Sequence, residues 1–499
     1  MLRTSSYTLY VDLPGNEEEM LLVHGYSGAY DKVSRRVATY LRSLEARRPP
    51  KPLYGDWSPE PAVEGEAPTP SAEAIATLRR RGYLTTLTAA EEEDLFSRVV
   101  EKFHLQQSGA GPSYILMPTY DCNLRCSYCF QDHMRTEAKF KHLLRVVSPE
   151  MVDRIFLAML ELEGRHGVDS KSFRRRITFF GGEPLLKESR PTVEYIVSKA
   201  LSLGEASFSA VSNGTDLADY RDLLGPAGIS DLQITLDGPP REHDKRRIYA
   251  DGSGSFARIA ENISMALDLG VRISVRMNID WNNVEQLPEL AEEIVVRGWD
   301  KYSNFSAYVA PIRPENEKTD AKSTMSNWEL EKELARLRGQ HQTMAVISHP
   351  DDSTKAQAQR IFGGEERTAY NLKSSFCSAH TSMYIFDAFG DIYACWERTG
   401  DPSVRIGRVL ADGDVELNVE LTQMWRSRTV ASNPVCRKCR YALYCGGGCA
   451  VLAVAQSGKF FSNFCDGFAS RFRSNIAEAY ERFAAGVRPE TKQHKVCDM

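Results

Sequence analysis

Short apolar runs alternate with amphipathic stretches along the middle of the chain. Six runs of strand length follow one another at residues 114–117, 177–180, 208–211, 232–236, 271–279 and 302–310. Stretches with the apolar spacing of helices separate them at residues 149–163, 191–203, 217–224, 255–269 and 284–296. Such alternation is typical of parallel strands joined by crossover helices, so it predicts an α/β fold with a barrel or an open sheet. Six strands favour a partial barrel over a complete eight-stranded one.

The pattern changes towards both ends of the chain. Residues 1–112 combine short strand-like runs with three helical stretches, and a Pro/Glu-rich segment at 49–70 favours a surface loop. Beyond residue 312 the alternation fades, and a region rich in Cys and Gly begins at about residue 371. We therefore predict four segments: a small α+β module at 1–112, a partial barrel at 113–312, a helical bridge at 313–370 and a Cys-rich domain at 371–499.

Composition and charge argue against several classes of protein. The chain has 499 residues, of which 42% are hydrophobic, and a formal net charge of −5. This acidic balance gives no support for a nucleic-acid partner. No apolar stretch approaches the roughly 20 residues of a membrane span, and the N-terminal segment becomes acidic too early for a signal peptide. We therefore expect a cytoplasmic protein with neither a nucleic-acid nor a membrane partner.

The 11 cysteines fall into two groups, the first of which follows the first barrel strand. None precedes Cys122, three lie within residues 122–129, and eight lie from Cys377 onward. Clustered cysteines in a large intracellular chain more often hold metal than form disulfides. Cys122, Cys126 and Cys129 can hold three irons of a 4Fe–4S cube and leave the fourth iron open. A zinc knuckle is the alternative, although zinc sites usually contain paired C-x2-C elements.

The second group of cysteines has a regular spacing. It reads Cys377-x12-Gly390-x4-Cys395, then Cys436-x2-Cys439-x5-Cys445-x3-Cys449, then Cys465 after 15 further residues. Seven thiols are one short of the eight that two four-ligand iron–sulfur clusters require. The three glycines at 446–448 suit close packing around a bulky cluster. Two structural zinc ions are the alternative.

The C-x3-C-x-aromatic-C string after a first strand resembles the radical S-adenosylmethionine (SAM) superfamily. The resemblance extends over about residues 113–310, through motifs that close successive strands: Gly181-Gly182-Glu183-Pro184, Ser212-Asn213-Gly214, Leu236-Asp237-Gly238-Pro239 and His243-Asp244-x-x-Arg247. The carboxyl ends of strands are where barrels of this type carry out their chemistry.

The resemblance implies a binding site for SAM beside the open iron. Glu183 and the backbone of its turn would receive the ammonium group, Arg247 would lie near the carboxylate, and Tyr128 would lie beside the adenine. The full set of SAM-binding residues that it implies is Tyr128, Gly181, Gly182, Glu183, Pro184, Ser212, Asn213, Asp237, Arg247 and Asn278. Asn278, at the end of the fifth strand, matches a ribose-contacting position more loosely than the others match theirs.

The later cysteines resemble a complete SPASM domain. This resemblance implies that auxiliary cluster I uses Cys377, Cys395 and Cys449, and that auxiliary cluster II uses Cys436, Cys439, Cys445 and Cys465. Cluster I would then be one protein ligand short, so that either Cys497 completes it or the site stays open. The implied cofactors are three 4Fe–4S clusters and SAM.

The layout of residues 1–105 is similar to the small winged-helix domain by which ribosomal-peptide maturases recognise peptides. The string from Leu78 to Leu84 would lead into the wing. Such domains bind a leader peptide as an additional strand, while a scaffold that packs on the barrel is the alternative. The implied fold class is α/β, with a partial (β/α)6 radical SAM barrel between this α+β winged-helix-like domain and a C-terminal SPASM domain.

Together these resemblances imply an oxidoreductase that modifies a precursor peptide. Reductive cleavage of SAM would yield a 5′-deoxyadenosyl radical, which abstracts a hydrogen so that an oxidative crosslink or similar modification can form. A flavodoxin or a ferredoxin would supply electrons. The alternatives are a maturase of a folded protein's active site and a non-catalytic iron–sulfur electron carrier. Sulfatase-maturing members place an Asp directly after the second SPASM cysteine, where this chain has Trp396. Maturation of a sulfatase therefore loses support as the function of this chain. No catalytic acid or base is assigned from the sequence.

Overall fold

The computed structural model of the protein describes residues 1–45, 68–313, 319–348, 352–362 and 372–486. Most of the predicted Pro/Glu-rich loop and Cys497 lie outside the described residues. The chain forms two compact units, and each is assembled from separate segments. The terminal unit comprises Met1–Gln107, Asp351–Thr381 and Ser427–Met499, and the barrel unit comprises Ser108–Pro350 and Ser382–Arg426.

The described chain contains strands and helices throughout. The strands are β1 (Arg3–Thr4), β2 (Thr8–Leu13), β3 (Asn16–His24), β4 (Tyr30–Ser34), β5 (Leu84–Thr85), β6 (Ser113–Leu116), β7 (Leu124–Cys126), β8 (Arg175–Phe179), β9 (Ala206–Ser212), β10 (Ile229–Thr235), β11 (Arg247–Tyr249), β12 (Arg272–Ile279), β13 (Phe305–Pro311), β14 (Ile347–Ser348), β15 (Met383–Phe386), β16 (Asp391–Tyr393), β17 (Gly407–Val409) and β18 (Val415–Leu417). The α-helices are α1 (Arg35–Ser43), α2 (Ala72–Arg80), α3 (Ala89–Ser108), α4 (Asp132–Thr136), α5 (Pro149–Arg165), α6 (Arg190–Ser202), α7 (Pro240–Arg246), α8 (Phe256–Asp268), α9 (Leu287–Val296), α10 (Asn327–Gln340), α11 (Asp352–Ile361), α12 (Val419–Arg426), α13 (Ala442–Cys445), α14 (Ala450–Ser457) and α15 (Phe468–Ala484).

The barrel unit is built on one sheet in which the predicted strands are neighbours. Strands β6, β8, β9, β10, β12 and β13 pair in parallel in that order. They coincide with the six predicted apolar runs, and the α/β fold with a partial barrel is therefore confirmed. The predicted helix at 217–224 is instead a short 3-10 turn at Leu217–Tyr220. Gly225 with φ 125° and Pro226 follow it, and neither residue favours a longer helix.

The sheet extends beyond the predicted barrel at the β6 edge. Strand β15 lies parallel to β6, with Ile385 opposite Ile115, although about 270 residues separate them along the chain. Strands β16, β17 and β18 then continue the sheet in antiparallel order. Part of the predicted Cys-rich segment therefore belongs to the same sheet as the barrel strands.

Helix α5 shows how the barrel helices pack on the sheet. It begins at Pro149 after Ser148, whose hydroxyl caps the first turn by accepting from the N–H of Met151. Its buried face consists of Val152, Ile155, Phe156, Ala158, Met159 and Leu162, and each large apolar side chain stabilises the packing by about 1.5–3 kcal/mol. At its last turn Glu163 forms a fully buried ion pair with Arg175 of β8, at 2.8 Å, which links helix and sheet.

The terminal unit joins the two ends of the chain in one core. Its antiparallel sheet has the order β2-β3-β4, and helices α1, α2 and α3 complete the N-terminal part. Tyr7 and Phe96 from this part share a buried cluster with Leu443 and Phe472 from the C-terminal part. The Tyr444 hydroxyl also donates to the His24 carbonyl at 3.1 Å. The N-terminal module and the segment that carries the last cysteines are therefore one packed body.

Among the described residues, no helix combines the length and the apolar character that crossing a bilayer requires.

Candidate functional site

The first three cysteines lie in a loop at the carboxyl end of β6, in the barrel unit. Within this loop β7 pairs antiparallel with β11, which places Cys126 opposite Arg247. The backbone N–H of Cys129 donates to the carbonyl of Cys126 at 3.1 Å, which closes a tight turn between the second and third thiols. Cys122 is buried and the other two are half-buried. The pairing of the two short strands thus brings a predicted SAM-binding arginine to the cysteine loop.

Burial raises the pKa of two thiols of this loop. It raises the pKa of Cys122 to about 12 and that of Cys126 to about 11. Arg135 opposes the shift at Cys122, and Arg247 opposes it at Cys126. Because metal ligation requires thiolates, these two guanidinium groups favour the ligating form.

The hydrogen-bonding state of the Arg135 guanidinium shows whether the loop fits an iron–sulfur cluster. Its Nη2 donates to Cys129 Sγ at 3.0 Å. Its Nε and Nη1 are buried and have no hydrogen-bond partner within the described part of the chain. Buried donors of this kind need acceptors, and the sulfides of a 4Fe–4S cube held by the three thiolates would supply them. The side chains present therefore fit the cube.

A zinc site at the first cysteine loop would require several ligands that converge on a single ion. In the part of the chain that the structure describes, no three His, Cys, Asp or Glu side chains lie where they could hold one metal ion. Ligands of a single zinc ion lie within about 2.3 Å of it. The thiolates of a cube instead bind different irons.

The turn after β8 packs directly against the segment that leads into the cysteine loop. Gly181 has a φ of 146°, and a Cβ there would lie 2.5 Å from the carbonyl oxygen of Thr119. A Cβ on Gly182 would lie 2.1 Å from the carbonyl oxygen of Asp121. The N–H of Glu183 donates to this same Asp121 carbonyl at 2.7 Å. Both glycines are therefore needed for the turn to approach the loop.

Glu183 joins the ends of β8 and β9. Its buried carboxylate accepts from Ser212 Oγ at 2.8 Å, from the N–H of Asn213 at 2.5 Å and from the N–H of Leu185 at 2.9 Å. Burial nevertheless raises the pKa of Glu183 to about 7. Asn213 Nδ2 in turn lies 3.7 Å from Cys122 Sγ. Since three chain donors already occupy the carboxylate, its contact with an ammonium group stays a prediction.

The phenol of Tyr128 is the centre of a second polar group. It donates a short hydrogen bond to Asp237 Oδ2 and accepts from Arg247 Nη1 at 2.7 Å and from Asn278 Nδ2 at 3.0 Å. The N–H of Asn278 donates to Asp237 Oδ1 at 2.9 Å. Four residues predicted to bind SAM, which lie far apart in the sequence, are thus hydrogen-bonded to one another.

The positive charge of Arg247 is opposed by burial and favoured by the neighbouring side chains. Burial disfavours the Arg247 charge, but its interactions with the side chains of Cys126, Tyr128 and Asp237 outweigh the cost of burial and hold the pKa of Arg247 well above its ordinary value. Burial also raises the pKa of Tyr128, so the phenol keeps the proton that it donates. The group can therefore present a fixed cation and fixed hydrogen-bonding groups to a polar ligand.

Several residues of the site were not singled out from the sequence. Arg246 pairs with Asp280 at 3.1 Å and lies over the Tyr128 ring, 5.5 Å from its centroid. Asn283 Nδ2 donates to the carbonyl oxygens of Asp237 and Asn278 at 2.8 and 2.9 Å. These residues, like Arg135, belong to no periodic pattern, so only their closeness to the quoted motifs could have drawn attention to them.

His243 and Asp244, from the His243-Asp244-x-x-Arg247 string, form hydrogen bonds within the barrel unit. His243, which is fully buried, accepts from the Asp237 N–H at 3.3 Å through Nδ1, and its Nε2 lies 2.9 Å from Ser255 Oγ. Asp244 Oδ1 accepts from the N–H groups of Ser255 and Phe256 at 2.8 and 2.9 Å, at the start of α8. These hydrogen bonds of His243 and Asp244 hold the turn after β10 against the start of α8.

Four cysteines of the second group meet in the terminal unit. The thiols of Cys436, Cys439, Cys445 and Cys465 interact electrostatically with one another, and burial raises the pKa of Cys439 to about 11. Asn463 Nδ2 donates to Cys465 Sγ at 3.2 Å. The four cysteines predicted for auxiliary cluster II are therefore close together. Their donors and their mutual proximity fit a cluster with four thiolate ligands.

The glycine run beside Cys449 permits this arrangement. Gly446, Gly447 and Gly448 all have positive φ, at 79°, 85° and 78°. A Cβ on Gly448 would lie 2.1 Å from the carbonyl oxygen of Phe464. Cys377 and Cys449 belong to the terminal unit, whereas Cys395 belongs to the barrel unit.

The carboxylates near Trp396 already have partners. Asp391 accepts two hydrogen bonds from Arg405 Nη1 at 2.8 and 2.9 Å. Glu397 pairs with Arg313 at 3.2 Å. Each of these two carboxylates is therefore paired with an arginine.

Comparison with known proteins identifies the domain at the first site. Residues 116–294 match the sequence model of the Radical SAM superfamily. The chain is 26% identical over 195 residues to the GTP 3',8-cyclase of Rhizobium etli (strain CIAT 652), which is 38% of this chain and 51% of the relative. It is 28% identical over 196 residues to the GTP 3',8-cyclase of Brucella canis (strain ATCC 23365 / NCTC 10854 / RM-666), 38% of this chain and 52% of the relative. The chain spans about half the length of the curated relatives it matches.

Solved structures show a similar fold at low sequence identity. Native anSMEcpe with bound AdoMet has a TM-score of 0.54 and 14% identity, over 75% of this chain and 99% of that chain. Native anSMEcpe with bound AdoMet and Cp18Cys peptide has a TM-score of 0.50 and 15% identity, over 75% and 99%. Streptococcus suis SuiB bound to precursor peptide SuiA has a TM-score of 0.48 and 15% identity, over 92% and 97%. Residues 116–294 of the chain therefore carry a radical SAM domain.

Proposed function

We propose that this enzyme modifies a ribosomally made precursor peptide by radical chemistry, with net oxidation. The observation that carries the proposal is the occurrence, in one chain, of a cysteine loop beside a polar SAM-type site, a second set of clustered thiols, and an N-terminal sheet whose edge strand β4 pairs, among the described residues, with β3 alone. The bound peptide named for anSMEcpe, a protein of similar fold, agrees with a peptide substrate.

In the barrel unit, one set of residues is proposed to hold the iron–sulfur cluster and another to orient SAM. Cys122, Cys126 and Cys129 would hold the 4Fe–4S cluster, and Arg135 would donate to it. When bound, this cluster and SAM together supply the hydrogen-abstracting radical. Around it, the side chains proposed to orient SAM are Tyr128, Glu183, Ser212, Asn213, Asp237, Arg247 and Asn278, with Gly181, Gly182 and Pro184 shaping the turn.

The second group of cysteines is proposed to serve electron transfer. Hydrogen abstraction leaves the substrate with an unpaired electron, so net oxidation requires an acceptor for one further electron. An auxiliary cluster held by Cys436, Cys439, Cys445 and Cys465 would take it up. Cys377, Cys395 and Cys449 remain the proposed ligands of another. A flavodoxin or a ferredoxin is the proposed external electron donor.

The N-terminal sheet supports leader binding through the backbone of β4. The N–H of His24 donates to the carbonyl of Ala29 at 2.8 Å. Hydrogen-bonded pairs alternate with non-bonded pairs along an antiparallel ladder, so in this register the N–H and C=O of Lys32 point away from β3. Arg81 Nη2 donates to the Tyr30 carbonyl at 2.9 Å, and Ser34 caps α1. Lys32 is thus the edge position best suited to pair with an added strand.

The activity is tested by anaerobic co-expression with each short peptide encoded beside the gene, followed by mass spectrometry. Loss of hydrogens from one peptide is the expected result, and fragmentation then locates the new bond. The Cys126→Ala variant should leave the peptide unmodified and produce no 5′-deoxyadenosine. An unchanged mass for every peptide would reject a precursor-peptide substrate.

Leader binding is tested at the β4 edge with a matched pair of variants. Lys32→Pro removes the outward N–H, whereas Lys32→Ala removes only the side chain, and proline is tolerated on an edge strand. Fluorescence anisotropy with a labelled precursor peptide should show at least tenfold weaker binding for the proline variant and nearly unchanged binding for alanine. Equal affinities for the two variants would reject strand addition at this edge.

A nucleotide substrate is the second candidate, favoured by the similarity to GTP 3',8-cyclases over 38% of the chain. Incubation of the reduced enzyme with GTP and SAM distinguishes the two. Conversion of GTP to a cyclised product without any peptide would favour this candidate over the first.

A further inference from the structure

Arg428 is a buried cation fixed among three segments of the terminal unit. The side chain is 3% exposed. Its Nε donates to the carbonyl of Phe460 at 2.9 Å, its Nη1 to that of Gly448 at 3.1 Å and its Nη2 to that of Ser462 at 2.8 Å. Nη1 also lies 3.5 Å from His380 Nε2. The guanidinium is therefore held in one position by neutral partners.

Most buried arginines of the described chain have a carboxylate partner, and each of the exceptions interacts with cysteine side chains or lies opposite a cysteine. Eight arginines are at most 9% exposed. Five of them form carboxylate ion pairs: Arg3, Arg175, Arg246, Arg440 and Arg471. For the other three, Arg135, Arg247 and Arg428, no such pair occurs within the described residues. Arg135 contacts Cys129, Arg247 lies opposite Cys126, and Arg428 interacts electrostatically with four cysteines of the second group.

The charge of Arg428 is therefore matched by sulfur rather than by a carboxylate. Burial disfavours the charge and lowers its pKa, while the thiols of Cys436, Cys449, Cys377 and Cys445 counteract the shift in that order of strength. A buried cation is destabilising unless negative charge lies nearby. Thiolates that hold an iron–sulfur cluster provide that charge, and reduction of the cluster by one electron increases it.

We propose that Arg428 stabilises the reduced form of the auxiliary cluster held by Cys436, Cys439, Cys445 and Cys465, and so raises its reduction potential. Arg428 acts as a positioning residue, since it binds neither substrate nor SAM. Net charge and hydrogen bonding around a cluster set its potential. Arg428 would keep its proton and its positive charge while an electron from the substrate is held at the cluster that these cysteines would bind. The inference rests on the proposed function, in which this set of cysteines holds such a cluster.

The test is a potentiometric titration of the purified holoenzyme, with dithionite as the reductant and electron paramagnetic resonance as the readout. Arg428→Gln should move the midpoint of one auxiliary signal to lower potential, and Arg428→Lys, which keeps the charge, should move it less. Arg3→Gln is the matched control, because Arg3 is a buried arginine of the same unit paired with Glu92. The control should keep the wild-type midpoint.

The outcomes separate this inference from the proposed function. Iron for only one cluster in the wild type would overturn the auxiliary clusters themselves. A full complement of iron in Arg428→Gln with an unchanged midpoint would overturn the role of Arg428 alone. If Arg428→Gln loses iron, Arg428→Lys decides: a retained cluster at near the wild-type potential supports the electrostatic role. Loss of iron from both variants would overturn the inference. It would show that Arg428 has only a structural role through its hydrogen bonds to the three carbonyl groups.

Discussion

At the scale of single residues, the site depends on buried polar groups that satisfy one another. The Tyr128 phenol bonds to Asp237, Arg247 and Asn278. Removing one member of such a group leaves the others buried without partners, which costs more than the lost bond itself. Substitutions here should therefore affect both stability and cofactor binding.

Tyr128→Phe tests this group. The variant leaves the Asp237 carboxylate and the Arg247 guanidinium each without one partner, and we expect a loss of about 1–3 kcal/mol in unfolding free energy together with weaker SAM binding. Isothermal titration with SAM under anaerobic conditions measures the latter. Tyr195→Phe is the matched control, because the Tyr195 hydroxyl bonds to Asp153 on the surface at 2.6 Å. Equal SAM affinities in the two variants would contradict a role for the Tyr128 phenol.

At the scale of elements, tight turns position the thiols. The turn after β8 approaches the first cysteine loop, and the glycine run before α14 approaches the segment that precedes Cys465. Both depend on the absence of a Cβ where backbone atoms would otherwise collide. The cysteine ligands themselves carry little information about these turns, so the glycines are as necessary as the thiols.

Gly448→Ala tests the second of these turns. At φ 78° and with a backbone oxygen 2.1 Å from its new Cβ, the alanine forces the chain apart. We expect the loss of about four irons per chain, one 4Fe–4S cluster, as measured by iron analysis. Gly458→Ala is the control, because Gly458 also has a positive φ of 67° but nothing lies within 4 Å of its Cβ. It should cost about 1 kcal/mol of stability and retain its iron.

At the scale of the whole molecule, the stability of the terminal unit depends on contacts between its two ends. Tyr7 donates to the Arg437 carbonyl at 2.6 Å, and Tyr444 donates to that of His24 at 3.1 Å. The apolar cluster around Phe472 contains residues from both ends. A cut between the N-terminal module and the rest would expose this core.

Deletion of Met1–Gln107 should therefore do more than abolish leader binding. The truncated chain loses the partners of Leu443 and Phe472, so we expect lower iron content and aggregation, measured by iron analysis and size-exclusion chromatography. A soluble truncation with full iron would show that the C-terminal segment folds without the module. The point variants at Lys32 are the sharper probes of leader binding for this reason.

His24 makes the stability of this unit sensitive to mild acid. Burial lowers the pKa of His24 to about 4, and the nearby Glu92 charge only partly opposes this shift. The rings of Tyr26 and Tyr83 also pack against the imidazole. The unfolded chain, with a histidine pKa of about 6.5, binds the proton first, so stability is full above pH 6.5 and falls as the pH decreases towards 4.

The expected loss between pH 7.5 and 5.5 is about 1.4 kcal/mol. Thermal unfolding of the wild type and of His24→Gln at the two values measures it, and the variant should lack this part of the pH dependence. Identical pH dependences would show that His24 does not remain neutral in the folded state.

Much of the fold and part of the site could be predicted from the sequence because their signals are local. The six barrel strands were predicted because apolar periodicity and turn residues act over a few positions. The spacing of Cys122, Cys126 and Cys129 likewise restricts what they can bind. The cysteine string suggested Tyr128, and the motifs at the strand ends suggested Asp237, Arg247 and Asn278, each as a predicted SAM-binding residue. Their mutual hydrogen bonds were not predicted.

Only the tertiary structure determined which distant segments meet. The pairing of β15 with β6, the shared core of the two chain ends and the placement of Arg428 among the thiols all join residues far apart in the sequence. Local propensity carries no information about such partners, because they are selected by the packing of complementary surfaces once the whole chain has folded. The cysteines therefore revealed the kind of chemistry, while the buried charges that tune it became visible only in three dimensions.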